Sequence, residues 1–176
     1  MRINDNITKL TEFEMEFLLK NGKRTSVLNG FDFESLTLFS FKFVKKTMPN
    51  LLKLGNFDKL VFEAFKDRKQ YIFENDVNYF DFKEVLYFIF WLKDEMQHWA
   101  KMEGDYLSSD PSADMMGAGI NELDIFGVDN VIDSLSGGDI TKHALIEVMS
   151  YGKVFDKQWK SNIENRIQKK LSKVKK

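Results

Sequence analysis

The residues best suited to chemistry in this sequence are Glu95 and His98, which stand three positions apart. On a helix this spacing puts both side chains on one face, and in di-iron carboxylate bundles such a pair supplies ligands to a shared metal centre. That centre needs a second pair, but the only other histidine, His143, has Ile140 at the required position. We therefore interpret Glu95 and His98 as a surface pair and expect no stoichiometric metal. A metal-dependent helical enzyme at these residues is a further alternative.

Other motifs that could carry chemistry are incomplete. His143 and Glu147 stand four apart, a spacing that is common on solvated helix faces. The run from Gly117 to Gly119 begins like a phosphate-binding loop, but Glu122 occupies the place of the third glycine and would repel phosphate. The absence of cysteine excludes disulfides, thiolate nucleophiles and cysteine-ligated zinc. We expect no catalytic residue and no cofactor.

Charge is unevenly distributed, although the net charge is only −1. No Lys or Arg occurs between Lys101 and Lys142, and that interval contains nine acids: Glu103, Asp105, Asp110, Asp114, Glu122, Asp124, Asp129, Asp133 and Asp139. From Lys153 to the end, nine bases stand against Asp156 and Glu164, which gives a local charge of +7. We interpret the acidic interval as solvated loops or as a docking surface for something basic.

The elements that position these residues are mostly helices, and the sequence predicts a mainly α, compact domain. Val85–Leu92 is apolar on every helical face, which indicates a buried central helix over about 81–103 that begins at an Asp81–Glu84 capping box and ends at Gly104. Eight apolar residues are too few to cross a bilayer, which needs roughly 18 to 20. Asn56 is a suitable cap for a helix near 57–70.

The first third of the chain is harder to interpret. A capping box predicts a helix near 11–20, and Asn29-Gly30 favours a small β-hairpin near 24–33. Residues 36–44 fit both strand and helix spacing, and we favour helix. We expect Pro49 to end that element, because proline biases the residue before it away from helical geometry.

The acidic interval is also rich in glycine, with six of the ten glycines in residues 104–138. This composition predicts loops joined by short helical turns near 112–116 and 129–135. Asp139 then caps a predicted helix of about 140–149.

The last segment predicts a basic amphipathic helix near 153–174. Its apolar residues recur every four positions and form a narrow, slanted stripe: Phe155, Trp159, Ile163, Ile167 and Leu171. We divide the chain into a helical domain of 1–152 and this helix of 153–176, which is part of the same domain or a docking arm. The stripe is our candidate contact with a protein partner or a second copy. Nucleic-acid binding through the bases is the alternative, although the helix contains one arginine and its aromatic residues lie on the stripe.

Three stretches of the sequence carry a resemblance to a known group of proteins. They are Leu107…Pro111…Ala118-Gly-Ile…Phe126-Gly, then Gly138-Asp-Ile-Thr-Lys, then Tyr151-Gly-Lys-Val-Phe155-Asp-Lys-Gln. Over roughly residues 85–165 the chain resembles small accessory proteins encoded among the head and tail genes of tailed bacteriophages of Bacteroidetes-type hosts. The resemblance implies a structural or assembly role, such as a tail-assembly chaperone or a minor virion component, and carries no functional residue with it.

The sequence therefore predicts a non-enzymatic protein-interaction or assembly protein. Its first residues lack the apolar run of a signal peptide, so we expect it in a cytoplasm or in a particle assembled there.

Overall fold

The computed structural model describes residues 22–108, 111 and 113–174. Most of them are helical, and the described part contains one two-stranded antiparallel sheet. The predicted mainly α fold with a small hairpin is therefore confirmed. The helix predicted near 11–20 lies outside the described residues.

The hairpin forms where the sequence predicts it. Strands β1 (Val27–Leu28) and β2 (Phe31–Asp32) pair antiparallel, with Leu28 opposite Phe31. The two turn residues between them, Asn29 and Gly30, have φ of 50° and 76°. A type I′ turn requires a positive φ at both positions, which Asn and Gly tolerate better than other residues.

Residues 36–54 differ from expectation at one point. Leu36–Leu38 form a 3-10 turn, and helix α1 then runs over residues 41–54, with Phe43–Thr47 in π-helical geometry and Met48–Leu54 in regular α geometry. The prediction that Pro49 ends the element is wrong. A proline inside a helix lacks a donor and collides with the carbonyl four residues earlier. The wider π turn immediately before it makes room for the ring.

Two helices begin at the predicted caps. Helix α2 is Phe57–Asp67, and Asn56 accepts a hydrogen bond from the Lys59 N–H. Helix α3 is Phe82–Leu107, and Asp81 accepts from two N–H groups of its first turn. Helix α3 continues one turn past its predicted end, because Gly104 costs about 1 kcal/mol inside a helix and does not by itself stop one.

A 3-10 helix, Glu74–Tyr79, lies between α2 and α3, and the remaining elements lie in the acidic interval and after it. Helix α4 is Ala113–Gly117, α5 is Val128–Ser136, α6 is His143–Val148 and α7 is Tyr151–Val174. The short turns and the Asp139 cap were predicted, but Ile120–Phe126, predicted as loop, is a 3-10 helix.

Aromatic rings fill the centre of the fold. Phe33 is fully buried, and four other phenylalanine rings have centroids 4.7 to 5.7 Å from its own: Phe31, Phe39, Phe65 and Phe88. The apolar run of α3 lies among them, with Val85, Ile89 and Leu92 all at most 1% exposed. The predicted central helix is therefore buried.

Candidate protein-interaction surface

The start of α7 is fixed to the body by backbone hydrogen bonds. The Tyr151 N–H donates to the Phe39 carbonyl at 2.7 Å, and the Phe41 N–H donates to the Met149 carbonyl at 2.7 Å. These bonds form a single antiparallel bridge between the segments that precede α1 and α7. The first turn of α7 is thus held in place before any side chain contributes.

Side chains continue this attachment. The Tyr151 hydroxyl donates to Glu103 at 2.8 Å, and Lys45 pairs with the same carboxylate. Burial, reinforced by the nearby Glu103 charge, raises the pKa of Tyr151 well above its ordinary range, so the hydroxyl remains a donor. Trp99 packs edge-on against both Tyr151 and Phe155, at 5.5 and 5.2 Å between ring centroids. The first turns of α7 therefore belong to the core.

The helix leaves the body near the end of α3. The Trp159 ring lies 5.0 Å from that of Tyr106, and the Asn162 side-chain amide donates to the Tyr106 carbonyl at 2.8 Å. Because α3 ends at Leu107, it offers no surface beyond this point.

Residues 163–174, which we name the C-terminal arm, continue as helix into solvent. Every residue from 163 to 172 is exposed. Of the predicted stripe, Phe155 is 4% exposed, whereas Ile163, Ile167 and Leu171 are 37%, 50% and 51% exposed. Trp159, at 37%, stands at the boundary. Twelve helical residues span about 18 Å. The arm is thus a projecting helix with an apolar stripe, and nothing in the described part of the chain covers it.

The arm is also basic. Among the described residues, Arg166, Lys169 and Lys170 form no ion pair within 4 Å, and the nearest pair along the helix joins Lys160 to Glu164 at 3.9 Å. The stripe and the bases therefore face solvent together, which suits a partner that is both apolar and acidic.

Part of the acidic interval has a base inside the same chain. Lys46 of α1 contacts Asp129 and Glu147, each at 2.7 Å, and Lys42 contacts Glu147 at 3.2 Å. The Lys46 ammonium lowers the pKa of both carboxyls, and the two carboxylates raise the pKa of Lys46. These contacts tie α5 and α6 to α1.

Other acids of the interval have local partners. Asp133 lies 3.3 Å from a ring nitrogen of His143. Asp139 caps its 3-10 turn by accepting hydrogen bonds from Thr141 and pairs with Lys142 at 2.9 Å, and these bonds lower its pKa. Several carboxylates that we interpreted from the sequence as a possible docking surface therefore form contacts within the fold.

An exposed stretch of the acidic interval contains acids without an ion pair, and we name it the 115–126 surface. Glu122 and Asp124 are exposed and form no ion pair among the described residues. Large apolar side chains stand beside them: Met115 (43% exposed), Met116 (47%), Leu123 (41%), Ile125 (82%) and Phe126 (55%). This combination of acidic and apolar groups is the counterpart of the arm.

The two pairs with metal-ligand spacing, Glu95 with His98 and His143 with Glu147, make contacts with other parts of the fold. Glu95 accepts a hydrogen bond from the Leu36 N–H at 3.2 Å and so caps the start of the Leu36–Leu38 3-10 turn, and His98 packs edge-on against Trp99. Glu147, four residues after His143, instead contacts the lysines of α1. Within the described residues, no three His, Asp or Glu side chains are grouped as metal ligands.

A groove of about 800 Å³ lies between α5 and α7, beside the end of α3. Its walls are mainly amides and hydroxyls, including Asn130, Ser134 and Asn162, above the apolar side chains of Leu107 and Val131. Small-molecule sites are usually enclosed and mostly apolar. This groove is open and polar, which suits water or a protein surface better than a small ligand.

Two groupings were not predicted from the sequence. Lys45, Glu103 and Tyr151 come from three helices, and no local spacing connects them. Tyr71, Phe73 and Tyr79 are 89%, 64% and 87% exposed, and they occur in a stretch without helical periodicity. A search for aromatic residues outside periodic segments could have identified the second group.

Comparison with known proteins does not indicate a function. No protein-family model, curated protein or solved structure matches the chain. In the part of the chain that the structure describes, no helix is long and apolar enough to cross a membrane.

Proposed function

We propose that this chain is a non-enzymatic interaction protein that binds another protein through the stripe of its C-terminal arm. The observation that carries the proposal is the exposure of Ile163, Ile167 and Leu171 on a helix whose first turns are buried. A row of large apolar side chains in water is costly, and contact with a partner removes that cost.

The use of the carboxylates supports a binding role over a catalytic one. Glu95 caps the start of a 3-10 turn, Glu103 joins three helices, and Glu147 ties α6 to α1. A catalytic carboxylate must instead be aimed at a place where substrate can sit.

Within this role, we propose the assembly of a tailed-phage particle, as a tail-assembly chaperone or a minor virion component. This part rests on the resemblance over residues 85–165, and it would place the protein in the host cytoplasm or in the finished virion. A projecting amphipathic arm suits such work, because it can engage a neighbouring subunit's groove.

Nucleic-acid binding is the second candidate, and the unpaired bases of the arm favour it. Arg166, Lys169 and Lys170 could neutralise phosphates. Recognition of single strands also uses free aromatic faces. The arm contains no aromatic residue, and the Trp159 ring that precedes it packs edge-on against Tyr106.

A double substitution, Ile167→Gln with Leu171→Gln, removes the stripe without changing the charge of the arm and separates the candidates. We expect the variant to melt like the wild type, to lose its protein complexes in co-purification with identified partners or in self-association, and to keep any nucleic-acid affinity within a few-fold. The control is Ile140→Gln, which changes a more exposed apolar residue (76%) on a different element.

Two results would count against the proposal. If the double variant kept every protein contact, the stripe would not be the binding surface. If Lys169→Glu with Lys170→Glu abolished tight binding of a fluorescent oligonucleotide while protein contacts persisted, the second candidate would replace the first.

A further inference from the structure

We propose that the partner of the arm is a second copy of this chain, and that the arm of one copy docks on the 115–126 surface of the other. This inference rests on the proposed function, since it names the protein that the stripe binds.

The two surfaces complement each other in both polarity and charge. The arm presents an apolar stripe beside unpaired bases, and the 115–126 surface presents exposed apolar side chains beside unpaired acids. Two arms could not pair with each other as well. Residues 151–174 contain seven bases, Lys153, Lys157, Lys160, Arg166, Lys169, Lys170 and Lys173, against Asp156 and Glu164, so paired arms would repel.

The arm does not reach the 115–126 surface of its own chain. Helix α7 is continuous from Tyr151 to Val174, and its first turns are fixed in the core. A continuous helix does not fold back on itself, and residues 163–172 and 121–126 are all exposed. The surface that fits the arm must therefore come from another molecule.

The placement of the two surfaces suits a two-fold dimer. The arm projects past the C-terminal end of α3, and α4 begins six residues after that end. Gly127, directly after the 115–126 surface, lines one groove with Glu103 and Leu107 of α3, so both surfaces begin near the C-terminal end of α3. When two copies meet at this end, each arm can contact the other copy's 115–126 surface, and the same contact forms twice.

Charge reversal on each side tests this pairing with the full-length chain. One variant carries Lys169→Glu and Lys170→Glu on the arm, and the other carries Glu122→Lys and Asp124→Lys on the 115–126 surface. Each variant alone places like charges against each other, and we expect its dimer to be weakened about tenfold or more in analytical ultracentrifugation. An equimolar mixture of the two variants should recover the dimer, because arm and surface then carry opposite charges in both contacts.

The control is Lys83→Glu, an exposed lysine in the first turn of α3, which should dimerise like the wild type. Wild-type dimerisation should also weaken as salt rises, because the screening length falls from about 8 Å at physiological ionic strength to about 3 Å at 1 M.

The remaining outcomes separate the two proposals. If the wild type stays monomeric while an arm-dependent complex with a different protein persists, the dimer is wrong and the interaction role stands. A wild-type dimer that neither reversal weakens also overturns this inference, since the contact must then lie elsewhere. If ending the chain after Asn162 lowers the unfolding free energy of a monomer by several kcal/mol, the stripe is covered within one chain, and both proposals fail.

Discussion

Helices α3 and α7 run side by side, have 26 and 24 residues, and differ in where they place their apolar side chains. The apolar residues of α3 between Val85 and Leu92 are buried against neighbours on several sides. Those of α7 are buried at Phe155 and exposed by Ile167. Helix α3 is therefore a core element from Val85 to Leu92, whereas α7 changes from core to surface along its length.

The spacing of the stripe explains this change. Four residues advance an α-helix by about 400°, so each step of four turns the stripe by about 40°. From Phe155 to Leu171 the stripe turns by about 160°, and residues at its two ends point in nearly opposite directions. The end of α3 at Leu107 removes the neighbouring surface over the same stretch. A row of apolar residues on a helix therefore indicates a buried face only where the row still points at a neighbouring element.

The largest effect is expected in the middle of α3. Ile89→Asp places a carboxylate where the side chain is 1% exposed, and we expect a loss of about 3–5 kcal/mol of unfolding free energy, measured by chemical denaturation. Gln97→Asp, at an exposed position of the same helix, should cost less than about 1 kcal/mol. A variant at Ile89 that melts like the wild type would show that α3 is not the core helix.

The next effect compares the two ends of α7. Phe155→Ala removes a ring that packs against Trp99 and should destabilise the fold by about 3–4 kcal/mol. Ile167→Ala should change stability by less than about 0.5 kcal/mol, because the residue is half exposed. Equal losses at both positions would remove the distinction between core and arm.

The sequence predicted those features that a few neighbouring residues decide. The Asn29-Gly30 turn and the caps at Asn56, Asp81 and Asp139 each depend on local backbone geometry and a single side chain. The central position of α3 was also predictable, since a helix that is apolar on every face needs cover on every side.

Features that depend on distant partners were not predictable in this way. Lys46 stands 83 residues from Asp129 and 101 from Glu147. Counting charges along the sequence therefore predicted an acidic interval but did not identify the lysine that pairs with it. Pro49 stays inside a helix because of a π turn that no local rule indicated. The stripe of α7 was predicted, but the point at which it leaves the core depends on where α3 ends.

Among the described residues, carboxylates of the acidic interval and of α6 are paired within the fold, unlike the bases of the arm, and the pH dependence of stability tests this difference. The Lys46 contact lowers the pKa of Glu147 below its ordinary 4.5, so the contribution of Glu147 is present above about pH 5 and is lost as pH falls through the lowered pKa. The pKa of Lys46 is raised above 10.5, so its contribution is lost only as pH rises past that value.

Lys46→Met should accordingly cost about 1 kcal/mol at neutral pH, as expected for a partly exposed pair, and less at pH 3. Denaturation at several pH values measures this, and Lys53→Met is the control because Lys53 is exposed and forms no ion pair among the described residues. An unchanged pH dependence in Lys46→Met would show that the contact contributes nothing to stability.

The smallest effect is expected when the arm is removed. A chain ending after Asn162 keeps the Trp159–Tyr106 contact and the hydrogen bond to the Tyr106 carbonyl, and residues 163–172, which it loses, are all exposed. We expect its unfolding free energy to change by less than about 0.5 kcal/mol in chemical denaturation monitored by circular dichroism. A chain ending after Gly152 loses Val154 and Phe155 from the core and should fail to fold. If the shorter deletion also prevented folding, the arm would be part of the body, and the contrast between α3 and the end of α7 would be wrong.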